Sequence, residues 1–329
     1  MDDLHLDRRS LLTGGAALTA LPAMTSAFSP RRAMADNHAS LSGPTYDLIN
    51  SGKDNVDAYL KLTSNLDMES THFGWIDGYV MGVAPGGAVK DICGFRGMGC
   101  NRLLPYEGPE HGYRRVLREI VFYTDLETGE IIEEMENPFT GEKVKVVPVA
   151  NDPFNAVFKD VWPDPPSYGG LNTEKREPRP FILNWQQIGQ HSMMEIHVHL
   201  YYPNALDPKK WVRESSGPMN RVTETFNYTF SMEDLQNPEL TTISSTGVWT
   251  RVTPWLPWML MGQAPGHCLY NCNFADCKSP EEFPDQRIVE HIAKNYPRFL
   301  DAPDVWEEPS LSSLEWYARE QEPAPPGGV

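Results

Sequence analysis

Residues 114–149 read RRVLREIVFYTDLETGEIIEEMENPFTGEKVKVVPV, and three strand-like runs alternate with two turns in this stretch. The runs favour strands because they are rich in Val, Ile, Phe and Tyr and because their apolar positions follow a period of two. Residues 125–129 and 137–141 end in glycine and read as turns. Because the spacing leaves no room for helices between the runs, the stretch predicts an antiparallel meander.

The same pattern continues on both sides of this meander. The chain has 29 Pro and 25 Gly among 329 residues, so turns are frequent and long helices are few. About ten strands without interposed helices favour a mainly β fold, a single antiparallel β-barrel of lipocalin-like form, with a short N-terminal helix over 55–66 and C-terminal helices over 285–295 and 311–319. The predicted strands are 74–83, 89–94, 114–123, 130–136, 143–149, 181–188, 192–202, 223–231 and 241–253.

The N-terminus indicates an export signal. Arg8 and Arg9 precede a short, moderately apolar segment, which is typical of a twin-arginine signal, and Ala33 and Ala35 supply small residues for cleavage. Cleavage after Ala27, or a buried helix in place of the signal, are the alternatives. The expected organisation is a signal over 1–35, a loose lead-in over 36–54, the barrel domain over 55–305, and a C-terminal helix and tail over 306–329. The mature protein is therefore expected in the periplasm.

Charge and motif content exclude several partners and cofactors. Lys and Arg total 28 against 45 Asp and Glu, and a net charge of -17 repels nucleic acid. No apolar run approaches the roughly 20 residues of a spanning helix, so stable membrane insertion is not expected. Glycine-rich nucleotide loops, a serine-hydrolase elbow and haem attachment motifs are missing from the sequence. We expect a small-molecule ligand and no organic cofactor, and the sequence does not indicate the oligomeric state.

The five cysteines are Cys93, Cys100, Cys268, Cys272 and Cys277. An exported protein meets an oxidising compartment, so one or two disulfides with a thiol left over are expected. A metal cluster with the neighbouring histidine at 267 is the alternative, although the spacing lacks the C-x2-C knuckle of structural zinc sites.

Several short motifs occur in an order that resembles a known family. They include residues 118–125 and 128–130 of the meander, the Asn-Pro and Thr-Gly-Glu motifs of its second turn, 151–153, 202–204, 213–217 and, most specifically, 249–251 followed by Pro-Trp-Leu-Pro-Trp-Met at 254–259. Together they resemble a bacterial and fungal domain-of-unknown-function family, number eighteen thirty-eight, over roughly residues 55–305. The resemblance implies a single β-rich domain, often behind an export signal, and carries no catalytic role.

The segment from His191 to His199 could bind a metal ion. Side chains alternate faces along a strand, so Glu195, His197 and His199 share one face while apolar residues share the other. An H-x-H strand with a nearby carboxylate suits zinc, iron or manganese. The alternative is that this face is simply solvated. Further ligands cannot be found by spacing, and His72, His111 and Glu119 are the candidates.

Glu119 is the first candidate for acid–base catalysis. On the predicted strand it shares a face with Leu117, Val121 and Tyr123, and a carboxylate among apolar neighbours needs a partner or a raised pKa. Tyr123 is a second candidate because it lies on the same face. A structural ion pair between Glu119 and an arginine of the next strand is the alternative.

Tryptophans indicate a binding pocket near the end of the β-rich region. Trp249, Trp255 and Trp258 lie within ten residues of one another and surround Arg251. Aromatic walls with one fixed cation suit a planar, apolar ligand that carries a carboxylate or carbonyl group. The alternative is a core plug or barrel lid. His72 is a further candidate for contact with the ligand.

These residues support three hypotheses. The first is an exported barrel enzyme, a lyase, isomerase or hydrolase, in which Glu119 or His197 moves a proton and Arg251 stabilises a developing anion. The second is a periplasmic binding protein with the same pocket and no turnover. The third is a metal-dependent enzyme that uses Glu195, His197 and His199.

Overall fold

One large antiparallel sheet of ten strands dominates the computed structural model, which describes residues 41–163, 177–307 and 313–325. The predicted signal over 1–35 lies outside the described residues. Within these ranges no helix is both long and apolar enough to cross a membrane. In chain order the elements are α1 (Gly52–Thr63), β1 (His72–Val83), β2 (Lys90–Pro105), β3 (Gly112–Thr124), β4 (Glu134–Glu136), β5 (Lys143–Lys145), β6 (Val149–Asn151), β7 (Ala156–Lys159), β8 (Asn184–Ile188), β9 (His191–Pro203), β10 (Met219–Phe230), α2 (Met232–Gln236), β11 (Ser245–Thr253), β12 (His267–Cys277), α3 (Gln286–Asn295) and α4 (Ser313–Glu320).

The strands follow the order β6-β3-β2-β1-β12-β11-β10-β9-β8, and β7 pairs with the other end of β3. Strands β4 and β5 form a separate hairpin. Outside the strands, an isolated bridge pairs Val161, which follows β7, with Pro180, which precedes β8, and Phe181 N donates to Asp160 O over 2.8 Å. The mainly β, antiparallel prediction is confirmed, and no strand ladder joins the two edges among the described residues.

The two faces of the sheet have different surroundings. The inner face, which carries Ile76, Val121 and Phe226, is buried and faces the main core. The outer face of β2 and β3 is covered by the C-terminal segment, where Phe122 packs with Ile288 of α3. The outer face of β9–β11 alternates exposed residues with the buried ones of the inner face. Side chains are therefore enclosed along the inner face, and on the outer face only where the C-terminal segment covers β2 and β3.

Strand β12 was missed in the sequence, although it lies at the centre of the sheet between β1 and β11. Its buried positions are Cys268, Tyr270, Cys272 and Phe274, which alternate with more exposed residues. The period-two pattern is regular once cysteine is counted as a small apolar residue. When Cys268 and Cys272 are taken instead as disulfide or metal candidates, the strand pattern is not apparent.

The disulfide prediction is wrong, because all five cysteines are free in the structure. Cys93 of β2 faces Val80 of β1, which in turn faces β12, the strand that carries Cys268 and Cys272. Two strands that are next-but-one neighbours lie roughly 10 Å apart. A disulfide needs Cα atoms within about 7 Å, so cysteines on β2 and β12 cannot pair across β1.

Asn55 fastens helix α1 to the start of β8. Its Nδ2 donates to Leu48 O, while its Oδ1 accepts from Leu183 N over 2.9 Å and from Trp185 Nε1 over 2.6 Å. Asn55→Ala leaves these buried donors unpaired, so we expect the free energy of unfolding to fall by about 2 kcal/mol in urea denaturation. The exposed Asn295→Ala is the control. A change no larger than that of the control would show that Asn55 does not fasten the helix.

Candidate functional site

Two carboxylates lie fully buried inside the protein, Glu119 on β3 and Glu224 on β10. Asn151 Nδ2 of β6 donates to Glu119 Oε1 over 2.5 Å. Arg251 Nε of β11 lies 3.4 Å from Glu224 Oε1, its partner across the β10–β11 ladder. Period-two alternation places each carboxylate on the inner face. The interior thus holds one carboxylate with an amide partner and one with an arginine partner.

The pKa of Glu119 is raised to about 7. Burial is the main cause, and the hydrogen bond from Asn151 opposes it. The charge of Glu224 raises the pKa further, whereas Arg251 and Arg115 lower it. Burial also raises the pKa of Glu224, against the lowering effect of Arg251 and of a hydrogen bond with Trp249. Glu119 can therefore exchange a proton near neutral pH.

A cavity of about 80 Å³, called here the mouth cavity, lies at one end of the inner face. Arg251 forms part of its wall, and the side chain of this arginine is 16% exposed. Trp255 and Trp258 contribute aromatic walls from the Pro-Trp-Leu-Pro-Trp-Met segment. Helix α4 covers the cavity with Leu314, Trp316 and Tyr317. The cavity combines one cation with an apolar, aromatic lining.

A pair of tyrosines lies beside Arg251 in the same cavity. The hydroxyl groups of Tyr123 and Tyr270 are 3.3 Å apart, and the Arg251 guanidinium is 5.9 Å from the centre of the Tyr270 ring. The Trp258 ring packs edge-on against Tyr123 at 5.0 Å. Burial raises the pKa of Tyr123 to about 12, so its hydroxyl stays protonated and can donate a hydrogen bond.

Glu214 adds a carboxylate to the mouth cavity that the sequence analysis missed. It is only 4% exposed, its Oε1 accepts from Ala324 N over 2.6 Å, and its Oε2 has no hydrogen-bond partner among the described residues. Glu214 lies in a loop between β9 and β10, where strand alternation gives no information. The only sequence clue is that it falls within 213–217, one of the motifs that carry the family resemblance.

A second cavity of about 70 Å³, called here the inner cavity, lies elsewhere on the inner face. Its polar lining comes from His72 of β1, Asn101 of β2, Arg115 of β3 and Asp276 of β12. Burial is the main cause that lowers the pKa of His72 to about 4 and raises that of Asp276 to about 7. Arg115 and Asp276 were not predicted as site residues.

The structure separates the residues that the sequence proposed together. Tyr123, Arg251, Trp255 and Trp258 share the mouth cavity, whereas His72 belongs to the inner cavity. Trp249 is 1% exposed and packs in the core against Phe95 at 5.8 Å. Glu119 and Trp249 form part of the lining of neither cavity.

The proposed metal ligands lie on the outer face of β9. His199 is exposed, and the side chain of His197 is 40% exposed, with its Nε2 2.8 Å from Glu195 Oε1. His72 and Glu119, two of the candidates for a further ligand, lie on the inner face. In the part of the chain that the structure describes, no group of three or more ligating side chains could hold a metal. The histidine face of β9 is therefore directed to solvent, away from the mouth cavity and the inner cavity.

Comparison with known protein families gives a match over most of the chain. The family model described as a protein of unknown function, DUF1838, matches residues 69–321. This range contains all twelve strands, helix α4, and the residues of the mouth cavity. No curated protein matches the chain.

Proposed function

The chain belongs to the DUF1838 family of proteins of unknown function, and since membership assigns no activity, we propose from the geometry that it is an enzyme that acts on a small aromatic or apolar molecule by acid–base chemistry. The observation that carries the proposal is the composition of the mouth cavity. Arg251, the unpartnered Oε2 of Glu214 and two tryptophans meet there in a buried space. A cation, a base and an apolar wall are the parts that acid–base catalysis on such a molecule requires.

The large sheet is proposed to curl into a barrel around this cavity. Strands β3 and β12 are separated by two strands in the sheet, roughly 14 Å if it were flat, yet Tyr123 and Tyr270 approach to 3.3 Å. The bridge between Val161 and Pro180 pairs the segment that follows β7 with the segment that precedes β8. Both observations support strong curvature and near closure.

Arg251 is proposed to bind the carboxylate or carbonyl oxygen of the substrate. It is held by Glu224 and lies beside Tyr270, so a developing negative charge would meet a fixed guanidinium and a phenol donor. Glu214 is proposed to take up the proton, because its free oxygen belongs to the cavity lining and Glu119 does not. Glu119 and Glu224 do not line the cavity, and we propose that they influence the substrate only through their electrostatic interaction with Arg251.

The size of the mouth cavity limits what it can accept in the structure. A cavity that binds benzene has a volume of about 150 Å³, whereas the mouth cavity has about 80 Å³. Helix α4 fills part of the opening, where Tyr317 packs on the Trp211 ring at 5.8 Å and Asn151 Nδ2 donates to Ser313 Oγ over 3.3 Å. The segment after the helix is held by the bond from Ala324 N to Glu214 Oε1. We propose that α4 moves outward when an aromatic substrate enters.

We place this activity in the periplasm, on the strength of the Arg8-Arg9 motif and the small-residue cleavage pattern of the sequence. No organic cofactor is needed for the proposed chemistry. A zinc, iron or manganese ion held by Glu195, His197 and His199 is the less supported alternative, because these side chains lie on the solvent-facing side of β9.

Benzoate is expected to bind the mouth cavity at least about tenfold more tightly than benzamide, because only benzoate carries a charge for Arg251. The measurement is a titration followed by tryptophan fluorescence, since Trp255, Trp258 and Trp316 line the cavity. Glu214→Gln should tighten benzoate binding by removing a like charge. The exposed Glu290→Gln should leave the binding unchanged. Absence of any response to millimolar benzoate would contradict the proposed ligand class.

Turnover separates the enzyme from a binding protein. Small aromatic acids and carbonyl compounds are incubated with the protein, and products are identified by mass spectrometry. Conversion should fall by about a hundredfold or more in Glu214→Gln and persist in Glu290→Gln. Binding of benzoate together with no conversion of any compound would favour the second candidate, a periplasmic binding protein.

A further inference from the structure

Arg115 is a buried arginine whose charge lacks a close partner. It is 2% exposed, and its Nη1 donates to Thr63 Oγ1 over 3.3 Å, but its Nε and Nη2 have no hydrogen-bond partner among the described residues. Its guanidinium packs over the Phe158 ring, at 4.6 Å from the centre. Arg251 differs, because it is paired with Glu224. Leaving a buried guanidinium unpaired is costly, so the position calls for an anion.

The two unpartnered nitrogens form one edge of the guanidinium. Nε–H and Nη2–H point in parallel on the same side, which is the fork that binds both oxygens of a carboxylate. Arg115 lines the inner cavity. The acidic residue Glu119 is close enough for Arg115 to lower its pKa, but no ion pair joins the two in the described structure. The fork therefore matches a planar oxyanion, which no side chain among the described residues supplies.

His72 provides a further donor in the inner cavity. Asn101 Nδ2 donates to Thr63 O over 3.2 Å, and Asn101 Oδ1 accepts from Ser64 Oγ, which fixes the orientation of the amide. The same Nδ2 lies 3.3 Å from His72 Nδ1, so Nδ1 is the acceptor and Nε2 carries the hydrogen. His72 Nε2 has no aligned partner, although Asp276 Oδ1 lies 3.4 Å away. Three donor nitrogens with no aligned partner among the described residues thus belong to two side chains that line the same cavity.

Asp276 is the group that would compete with an anion. Its Oδ2 is occupied by Ser245, whose N and Oγ donate over 2.8 and 2.7 Å. Its pKa of about 7, raised by burial, leaves much of it protonated at neutral pH. A protonated Asp276 repels no anion and can donate to one.

We propose that the inner cavity is a binding site for a small planar oxyanion of the carboxylate type, held by the Nε–Nη2 edge of Arg115 and by His72 Nε2. The volume of about 70 Å³ suits an ion of the size of formate and excludes an aromatic acid. This site is separate from the mouth cavity and does not depend on the proposed function. The two can be tested independently.

Formate is the probe. It is titrated into the protein without the predicted signal over 1–35, at constant ionic strength, and chloride is the balancing ion. We expect formate to raise the unfolding midpoint saturably and chloride to do so much more weakly. A carboxylate aligns one oxygen with each N–H of the fork, whereas on a single spherical ion the two hydrogen bonds converge at less favourable angles. In Arg115→Met the affinity for formate should fall by about tenfold or more. The control is Arg114→Met, which changes the neighbouring arginine on the opposite face of β3.

A second variant keeps the test valid if Arg115→Met does not fold. Asp276→Asn retains an oxygen acceptor for Ser245 and removes the competing charge, so formate should bind severalfold more tightly. A gain of affinity cannot come from damage to the fold. Equal stabilisation of wild type and Arg115→Met by formate, or no difference between formate and chloride in wild type, would overturn the proposal and leave the cavity to water. Neither result bears on benzoate binding at the mouth cavity.

Discussion

Arg251→Met is expected to lower the free energy of unfolding by about 3–5 kcal/mol, because it leaves the carboxylate of Glu224 buried without its partner. Glu224 is fully buried, and Arg251 Nε lies 3.4 Å from it across the β10–β11 ladder. The measurement is urea denaturation at neutral pH. Arg221→Met is the matched control, since that arginine lies on the outer face of β10 and stacks on Tyr201 at 5.2 Å. Its effect should stay within about 0.5 kcal/mol.

A double variant separates the pair from the loss of an arginine side chain. In Arg251→Met with Glu224→Gln, the uncompensated charge is gone, and much of the lost stability should return. The double-mutant cycle should therefore give a coupling of at least about 1 kcal/mol. Purely additive effects would mean that Arg251 stabilises the core by packing alone, and its proposed role as a prepared anion binder would lose its support.

Strand alternation predicted much of the interior. It placed Glu119 among apolar neighbours, and the structure shows it on the inner face with no exposure. The same reasoning could have found Glu224, because it shares the buried face of β10 with Val222, Phe226 and Tyr228. Alternation could not show which carboxylate would form an ion pair with an arginine, since that depends on the register between paired strands.

The remaining features of the candidate site could not be predicted from the sequence, for physical reasons. Glu214 lies in a loop, where no period applies, and its burial depends on the tail residue Ala324. Arg115 shares the period-two face of Leu117 and Glu119, so alternation places it inward, but the sequence alone does not say that no carboxylate of the described residues would pair with it there. On β9 the alternation correctly separated an apolar face from the face of His197, but only the packing of the sheet decided that the histidine face is the outer one.

Stability is expected to fall as pH rises from about 5 to about 8, opposite to the behaviour of a protein stabilised by paired carboxylates. Burial raises the pKa values of Glu119 and Asp276 in the folded state, each to about 7, whereas in the unfolded chain they return to their ordinary values. Below the pKa of the unfolded state, both carboxyls are protonated in the folded and in the unfolded protein, and the free energy of unfolding does not change with their titration. Between the two pKa values the unfolded state releases the proton first, so stability declines until the folded pKa is passed. At roughly 1.4 kcal/mol per pKa unit, the loss of stability is about 3 kcal/mol at most for Glu119 and about 4 kcal/mol at most for Asp276.

Urea denaturation across this pH range tests the sign and the source. Carboxylates with lowered pKa values, such as Asp125 and Asp285, lose their contribution only as pH falls below the unfolded value, so they do not act in this window. Glu119→Gln and Asp276→Asn should each flatten the decline. In the double variant stability should instead rise between about pH 5 and pH 6.5, because the lowered pKa of His72 then acts without the opposing carboxyls. The exposed Glu290→Gln should retain the wild-type slope. A wild-type stability that stays level or rises between about pH 5 and pH 8 would mean that water or a bound partner compensates both buried charges. For Asp276 that partner would have to be a cation, which would also rule out the oxyanion proposed for the inner cavity.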